Sequence, residues 1–172
     1  MVEFIIKNTI KNNLRKQTRE KKFLNMNQVR SVFIVFEAVD YALVDTFVKQ
    51  LKRLGKQVTG IAFRTKDDSR DYSKAAYKVI SNADLDWMGK PDLAVRSFVK
   101  EQKDDVLIDL TMYSNLVLEY LVSISEIPFK IGIRKSRPLL YDLSIVDSEP
   151  EENVIQEKIQ QIVYYLNTIQ SA

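Results

Sequence analysis

The stretch "DVLIDLTMYSNLVLEYLVSISEIPFKIGI", residues 105–133, predicts a strand, a helix and a second strand in succession. Its first part, "DVLIDL", and its last, "PFKIGI", are short apolar runs typical of strands buried on both faces of a parallel sheet. We expect Ser114 to cap the intervening helix. Apolar residues of that helix recur at a spacing of three and four: Leu116, Val117, Tyr120, Leu121 and Ile124. Such a unit is a crossover between parallel strands.

The rest of the chain repeats this alternation. Further strands are predicted at residues 31–36, 57–63, 77–81 and 141–146. Further helices are predicted at residues 2–24, from Asp40 to Leu54, from Pro91 to residue 102, and after a capping box formed by Ser148 and Glu151 with Pro150 in the first turn. Gly55 occupies the place of a left-handed cap after the second of these helices.

These elements predict a three-layer, Rossmann-like α/β fold. It has a mainly parallel sheet of about five or six strands with helices on both faces, plus an N-terminal basic helix. We expect residues 1–28 to form a basic helical arm and residues 29–172 to form a single domain.

Two residue types are missing from the chain, cysteine and histidine. Without cysteine there are no disulfides, no thiol nucleophile and no thiolate metal site. Without histidine there is no Ser-His-Asp triad and no imidazole-bound zinc. Any catalysis would need carboxylates, lysine, tyrosine or an oxygen-ligated metal such as magnesium. The composition therefore favours a non-catalytic protein without a cofactor, with magnesium left open.

The charge is distributed unevenly along the chain. Residues 1–30 carry eight basic side chains against two acidic ones, whereas the remaining residues carry 18 basic and 21 acidic ones. The basic arm has three interpretations: it packs on a protein partner or a second copy, contacts nucleic acid through phosphates, or lies on an anionic membrane. No apolar run approaches the about 18 residues of a membrane span, and the apolar N-terminal run is too short for a signal peptide, so we expect a cytoplasmic protein.

Ligands of open α/β sheets bind beyond the carboxyl ends of the strands, which gives a short list of candidate residues. The polar residues that follow predicted strands are Glu37, Asp40, Arg64, Lys66, Asp109, Thr111, Tyr113, Arg134, Lys135 and Arg137. All of them except Arg64 and Lys66 form our predicted ligand-binding set, in which Asp40 and Asp109 are the candidate acids.

Each candidate also has a structural interpretation. Asp40 would be an ordinary helix cap, and Asp109 would accept backbone N–H groups of the turn that follows it. The basic run from Arg134 to Arg137 would be either a phosphate site or a solvated turn. Glycine-rich phosphate loops are absent from the sequence, so a dinucleotide is not expected.

Residues 105–146 resemble part of the heptosyltransferase family, glycosyltransferases of the B type. In the acceptor-side half of that family, a strand ending in Asp-Leu precedes a helix and a strand ending in Ile-Gly, as Asp109-Leu110 and Ile131-Gly132 do here. The family's catalytic Asp follows a Gly, and here Asp40 follows Val39. The resemblance implies a Rossmann-like half without the donor domain. The body is also similar to an uncharacterised family of small bacterial α/β proteins, through "DLDWMGKPD" and "YDLSIV".

The sequence thus predicts a partner- or ligand-binding α/β protein. The first alternative is a glycosyltransferase-type half-domain that binds a sugar or phosphorylated metabolite. The second is a nucleic-acid or ribosome-associated protein that uses its basic arm.

Overall fold

The structure is a computed structural model that describes residues 1–133, 138–146 and 155–170. The predicted capping box of Ser148 and Glu151, with Pro150, lies outside the described residues. The basic side chains of Arg134, Lys135 and Arg137 lie outside them too.

The described residues form a parallel sheet between two helical layers, which confirms the predicted three-layer α/β fold. The strands are β1 Ser31–Glu37, β2 Gln57–Phe63, β3 Lys78–Ile80, β4 Val106–Asp109, β5 Phe129–Ile133 and β6 Leu143–Ile145. The helices are α1 Val2–Lys16, α2 Tyr41–Arg53, α3 Leu93–Glu101, α4 Leu116–Ile124 and α5 Ile155–Thr168. The strand order is β3-β2-β1-β4-β5-β6, and all of these neighbours pair in parallel.

Two apolar clusters sandwich the sheet because successive side chains of a strand point to opposite faces. In β1, Ile34 and Phe36 enter the cluster covered by α2 and α5, whereas Phe33 and Val35 enter the cluster covered by α1, α3 and α4. Within the described residues, no helix is both long and apolar enough to cross a bilayer.

The predicted first helix is too long, since α1 ends at Lys16 and not at residue 24. The apolar stripe ends at Leu14, and the residues after it form hydrogen bonds with the rest of the protein instead of extending the helix. Gln17 Nε2 donates to the carbonyl of Ser125 at 2.8 Å, and the N–H of Lys22 donates to the carbonyl of Pro128 at 3.1 Å. These tertiary hydrogen bonds replace the helical ones.

The predicted caps are partly wrong. The N-cap of α4 is Asn115, whose side-chain oxygen accepts the N–H groups of Val117 and Leu118, while the Ser114 hydroxyl donates to Glu119. The helix α3 starts after its cap Asp92 and not at Pro91. Gly55 has the predicted left-handed conformation, with φ 76°.

Strands β3 and β6 are also shorter than predicted, at Lys78–Ile80 and Leu143–Ile145.

Candidate ligand site at the carboxyl edge of the sheet

The strand order reverses between β1 and β4, and this is where a crevice forms in open α/β sheets. The two strands pair with Val35 opposite Asp109, so Glu37 lies beyond the last pair at the carboxyl edge. Asn115, at the start of α4, donates from Nδ2 to Glu37 Oε1 at 3.1 Å. This hydrogen bond therefore connects the end of β1 to the start of α4.

Asp109 lies inside the protein and not on the surface of this crevice. Its carboxylate is fully buried and accepts from the N–H of Thr111 at 2.8 Å, from the Thr111 hydroxyl and from the hydroxyl of Tyr141. Burial and the adjacent Asp109 carboxylate raise the pKa of Tyr141 well above its ordinary value, so this phenol remains a donor. These contacts are those of a structural acceptor; contact of Asp109 or of the buried Thr111 with a ligand stays a prediction.

Asp40 occupies the N-cap position of α2, but its side chain makes no capping hydrogen bond. The predicted N-cap position is therefore confirmed, but the predicted side-chain cap is not made. Asp40 is partly buried, and burial, followed by the carboxylate of Glu37, raises its pKa, while Arg70 opposes that shift. The Glu37 carboxylate thus repels that of Asp40 at the carboxyl end of β1, and among the described residues the Asp40 side chain makes no hydrogen bond or ion pair.

The loop after β2 folds back over the turn between β1 and α2. The Arg70 guanidinium pairs with Asp68 at 2.7 Å and also donates to the carbonyl oxygens of Ala38 and Val39. The Tyr72 hydroxyl donates to Asp68 at 2.6 Å and to the Ala38 carbonyl at 3.1 Å. Hydrogen bonds from Arg70 and Tyr72 hold the pKa of Asp68 well below its usual value. From the sequence, only Arg64 and Lys66 of this loop are candidate residues, so Arg70 and Tyr72 were missed.

Three adjoining depressions lie on this loop. The first has a volume of about 370 Å³ and is lined by Val39, Thr65, Asp67, Asp68, Ser69 and Arg70. The second, of about 430 Å³, shares Thr65, Asp68 and Ser69 with it and extends to Arg64 and Ser81. The third, of about 330 Å³, lies beyond Arg64 and Ser81. The open space at the carboxyl edge therefore runs from β1 towards β3.

Apolar side chains also project from this edge. Tyr113, a predicted ligand contact, is 73% exposed on the loop after β4, and Val39 and Leu139 are exposed on the loops after β1 and β5. The structure thus brings Glu37 and Asp40 together at the reversal point and leaves Tyr113 accessible.

A buried ion pair fixes the segment after α1 to the opposite, amino edge of the sheet. Arg19 Nη2 lies 2.7 Å from Asp142 Oδ1, and the side chains are 3% and 1% exposed. Lys21, 60% exposed, lies 3.2 Å from the same oxygen. Burial alone would raise the pKa of Asp142, but the hydrogen bonds from Arg19 and from the N–H of Lys130 hold it below its usual value.

Lys130 lies fully buried beside this pair, and its Nζ donates to the carbonyl of Val122 in α4 at 2.7 Å. Burial, followed by the positive charge of Arg19, lowers its pKa to about 7. This cluster was not predicted, because its members are far apart along the chain. Two cations of the basic arm, Arg19 and Lys21, therefore serve contacts within the protein.

The comparison with protein families finds one matching family. Residues 3–169 match the family described as "Family of unknown function (DUF6913)". The protein belongs to this family. The matched range includes both the N-terminal helix and the sheet domain, and the predicted membership of an uncharacterised family is confirmed at this level. No curated protein and no solved structure matches the chain, and the comparisons show no glycosyltransferase resemblance.

Proposed function

We propose that this protein binds a small, hydroxyl-rich molecule at the crevice between the carboxyl ends of β1 and β4, without acting as an independent enzyme. Glu37 and Asp40 accept hydrogen bonds from the ligand, and Asn115 and Tyr113 border it.

The state of Asp40 carries this proposal. A partly buried carboxylate normally has a hydrogen-bond partner, because burial penalises its charge. Asp40 stands where a capping residue belongs and caps nothing, and the neighbouring Glu37 adds a repulsive charge. A ligand donor at this position would relieve that unfavourable state.

The mixture of polar groups favours hydroxyl ligands over other classes. The carboxylates are acceptors, whereas the Asn115 amide and the Tyr113 phenol supply donors. A hydroxyl group both donates and accepts, so neighbouring hydroxyls of a sugar or polyol can satisfy both kinds of group. The Tyr113 ring, exposed beside them, offers an apolar face to the carbon skeleton.

Titrations followed by amide NMR shifts test this proposal. Ribose, glucose and glycerol are added to the full chain, and binding should shift the amides of residues 37–40 and 111–116. Asp40→Asn should weaken binding by about tenfold, since a hydrogen bond to a charged group is worth about 1.5–3 kcal/mol. Asp45→Asn, one turn along α2, is the matched control. The proposal fails if no member of the panel binds, or if the two variants bind equally well.

A further inference from the structure

We propose that the depressions on either side of Arg64 hold a phosphate monoester group of the same ligand, so that the ligand class is a phosphorylated sugar or polyol. This inference rests on the proposed function for the hydroxyl end of the ligand and adds the site of its anion.

The Arg64 side chain lines two of the depressions. Arg64 directly follows β2, and its N–H donates to the carbonyl of Ile80 at 2.7 Å, which fixes its backbone between β2 and β3. The residue is partly buried. Throughout the part of the chain that the structure describes, its guanidinium takes part in no hydrogen bond and no ion pair.

Four acidic residues line the depressions, and three of them are held by donors of their own loops, whereas Asp67 is exposed to solvent. Asp68 accepts from Arg70 and Tyr72. Asp84 accepts from the N–H of Ser81 at 2.8 Å, and Asp71 accepts from the N–H of its neighbour Ser73 at 2.9 Å. Within the described residues, none of the four carboxylates forms an ion pair with Arg64.

The second depression supplies further donors. Its wall includes the exposed residues Thr65, Lys66 and Ser69, whose two hydroxyls and ammonium group make no hydrogen bond within the described ranges. An arginine guanidinium binds two oxygens of a phosphate at once, and a lysine adds a point charge. Arg64 and Lys66 flanked by hydroxyls therefore match a phosphate monoester better than a neutral group.

The anion site adjoins the turn between β1 and α2, which carries Asp40. The depressions of about 370 and 430 Å³ share the side chains of Thr65, Asp68 and Ser69. The first of them reaches Val39, the residue before Asp40. Together they have the size of a small-ligand site, for which about 300–1,000 Å³ is typical.

The test compares ribose, glucose and glycerol with their phosphate monoesters, by calorimetry on the full chain. In the wild type, each phosphate ester should bind at least about tenfold more tightly than its parent, as expected for a charge-assisted contact. Arg64→Gln should abolish this difference, and Lys66→Gln should reduce it. Arg53→Gln, at the end of α2, should preserve it, and melting curves should show that all three variants fold.

The outcomes separate this inference from the proposed function. If each ester binds the wild type no more tightly than its parent, the phosphate site is overturned, even where the parent compounds bind. The same holds if the ratio of ester affinity to parent affinity is unchanged in Arg64→Gln. Asp40→Asn should weaken esters and parents alike and leave their ratio intact. Ester binding that depends on Arg64, with no binding of the parents and no effect of Asp40→Asn, supports the phosphate site and refutes the hydroxyl site.

A phosphate monoester can also belong to a lipid headgroup. Sedimentation with phosphatidylcholine vesicles that contain phosphatidic acid distinguishes this source. The recessed position of Arg64 predicts binding of the soluble esters and no sedimentation. Sedimentation that depends on Arg64, without binding of the soluble esters, overturns the soluble ligand class.

Discussion

The ring of Tyr141 lies against Gly132, in the space where any other residue would place its Cβ. A Cβ at position 132 would come within 2.6 Å of Tyr141 Cδ1 and closer still to other ring atoms. Gly132 of β5 pairs with Asp109 of β4, and the ring crosses this pair so that its hydroxyl reaches the buried carboxylate. Gly132 thus leaves room for the Tyr141 ring, whose hydroxyl donates to the buried Asp109 carboxylate.

Gly132→Ala should therefore destabilise the protein by about 1–3 kcal/mol, the usual cost of overpacking a core. Urea denaturation measures this free energy of unfolding. In a Tyr141→Ala background the added methyl group has space, so the same substitution should cost much less. An equal cost in both backgrounds would show that the Tyr141 ring is not what excludes a side chain at position 132.

Asp109→Asn should destabilise the protein by about 1–3 kcal/mol, because it places an amide donor among groups that donate to the carboxylate. Tyr141→Phe, which removes one of these donors and keeps the ring, should cost about 1 kcal/mol. Both values come from chemical denaturation. Ligand affinity, measured on the folded variants, should not change. Preserved stability with lost affinity would instead assign Asp109 to the ligand.

The layers of the fold could be predicted from sequence because burial patterns are local. The apolar run of β1 and the stripe of α2 show their burial within a few residues. The end of α1 could not be predicted in this way. The segment after Lys16 contains no glycine or proline, and it leaves the helix because Gln17 and Arg19 find acceptors more than 100 residues away in sequence.

The candidate site was predictable in position but not in detail. The strand-end rule found Glu37 and Asp40, since the end of β1 is clear from the sequence. Capping depends on side-chain conformation, so sequence rules assigned Asp40 a cap it does not make and overlooked Asn115. Arg64 was recognised only as a cation after a strand, because its depressions are formed by a loop whose course depends on contacts of Arg70.

Arg19→Gln should destabilise the protein by about 3–5 kcal/mol, because it leaves the buried carboxylate of Asp142 without its main partner. Lys21→Gln is the matched control: it removes a cation from the same oxygen, but its exposed side chain should contribute at most about 1 kcal/mol. Denaturation gives both values, and hydrogen exchange should show faster exchange at residues 17–25 in Arg19→Gln. Similar losses in the two variants would contradict the dominant role of Arg19.

Stability should rise with pH above neutrality because of Lys130. Its pKa is about 7 in the folded state, whereas the ordinary value is 10.5. Between these values the unfolded chain holds a proton that the folded chain does not, so raising the pH favours folding over this window. The neighbouring charges are Arg19 and Lys21, which favour the neutral amine, and Asp142, which opposes them.

Denaturation midpoints measured from pH 7 upward, below the range in which tyrosines ionise, test this dependence. Lys130→Met keeps the aliphatic chain without the titrating group and should flatten the rise. A wild-type midpoint that stays level or falls over this window, or a Lys130→Met curve that rises as steeply, would show that Lys130 remains protonated in the fold.

Replacing Asp40 and Asp92 should have opposite consequences, although both residues occupy N-cap positions. Asp92 accepts the N–H of Val95 at 2.8 Å, so Asp92→Ala should cost about 1 kcal/mol.

Asp40 makes no such bond, and Asp40→Asn removes a charge that burial and Glu37 disfavour. A raised pKa in the folded state means that the wild type loses stability as the pH rises through the carboxyl range. Asp40→Asn should therefore match or exceed the wild type at neutral pH, by a margin that vanishes in acid. Urea denaturation at both pH values measures this margin, and a loss at neutral pH comparable to that of Asp92→Ala would return Asp40 to a structural role.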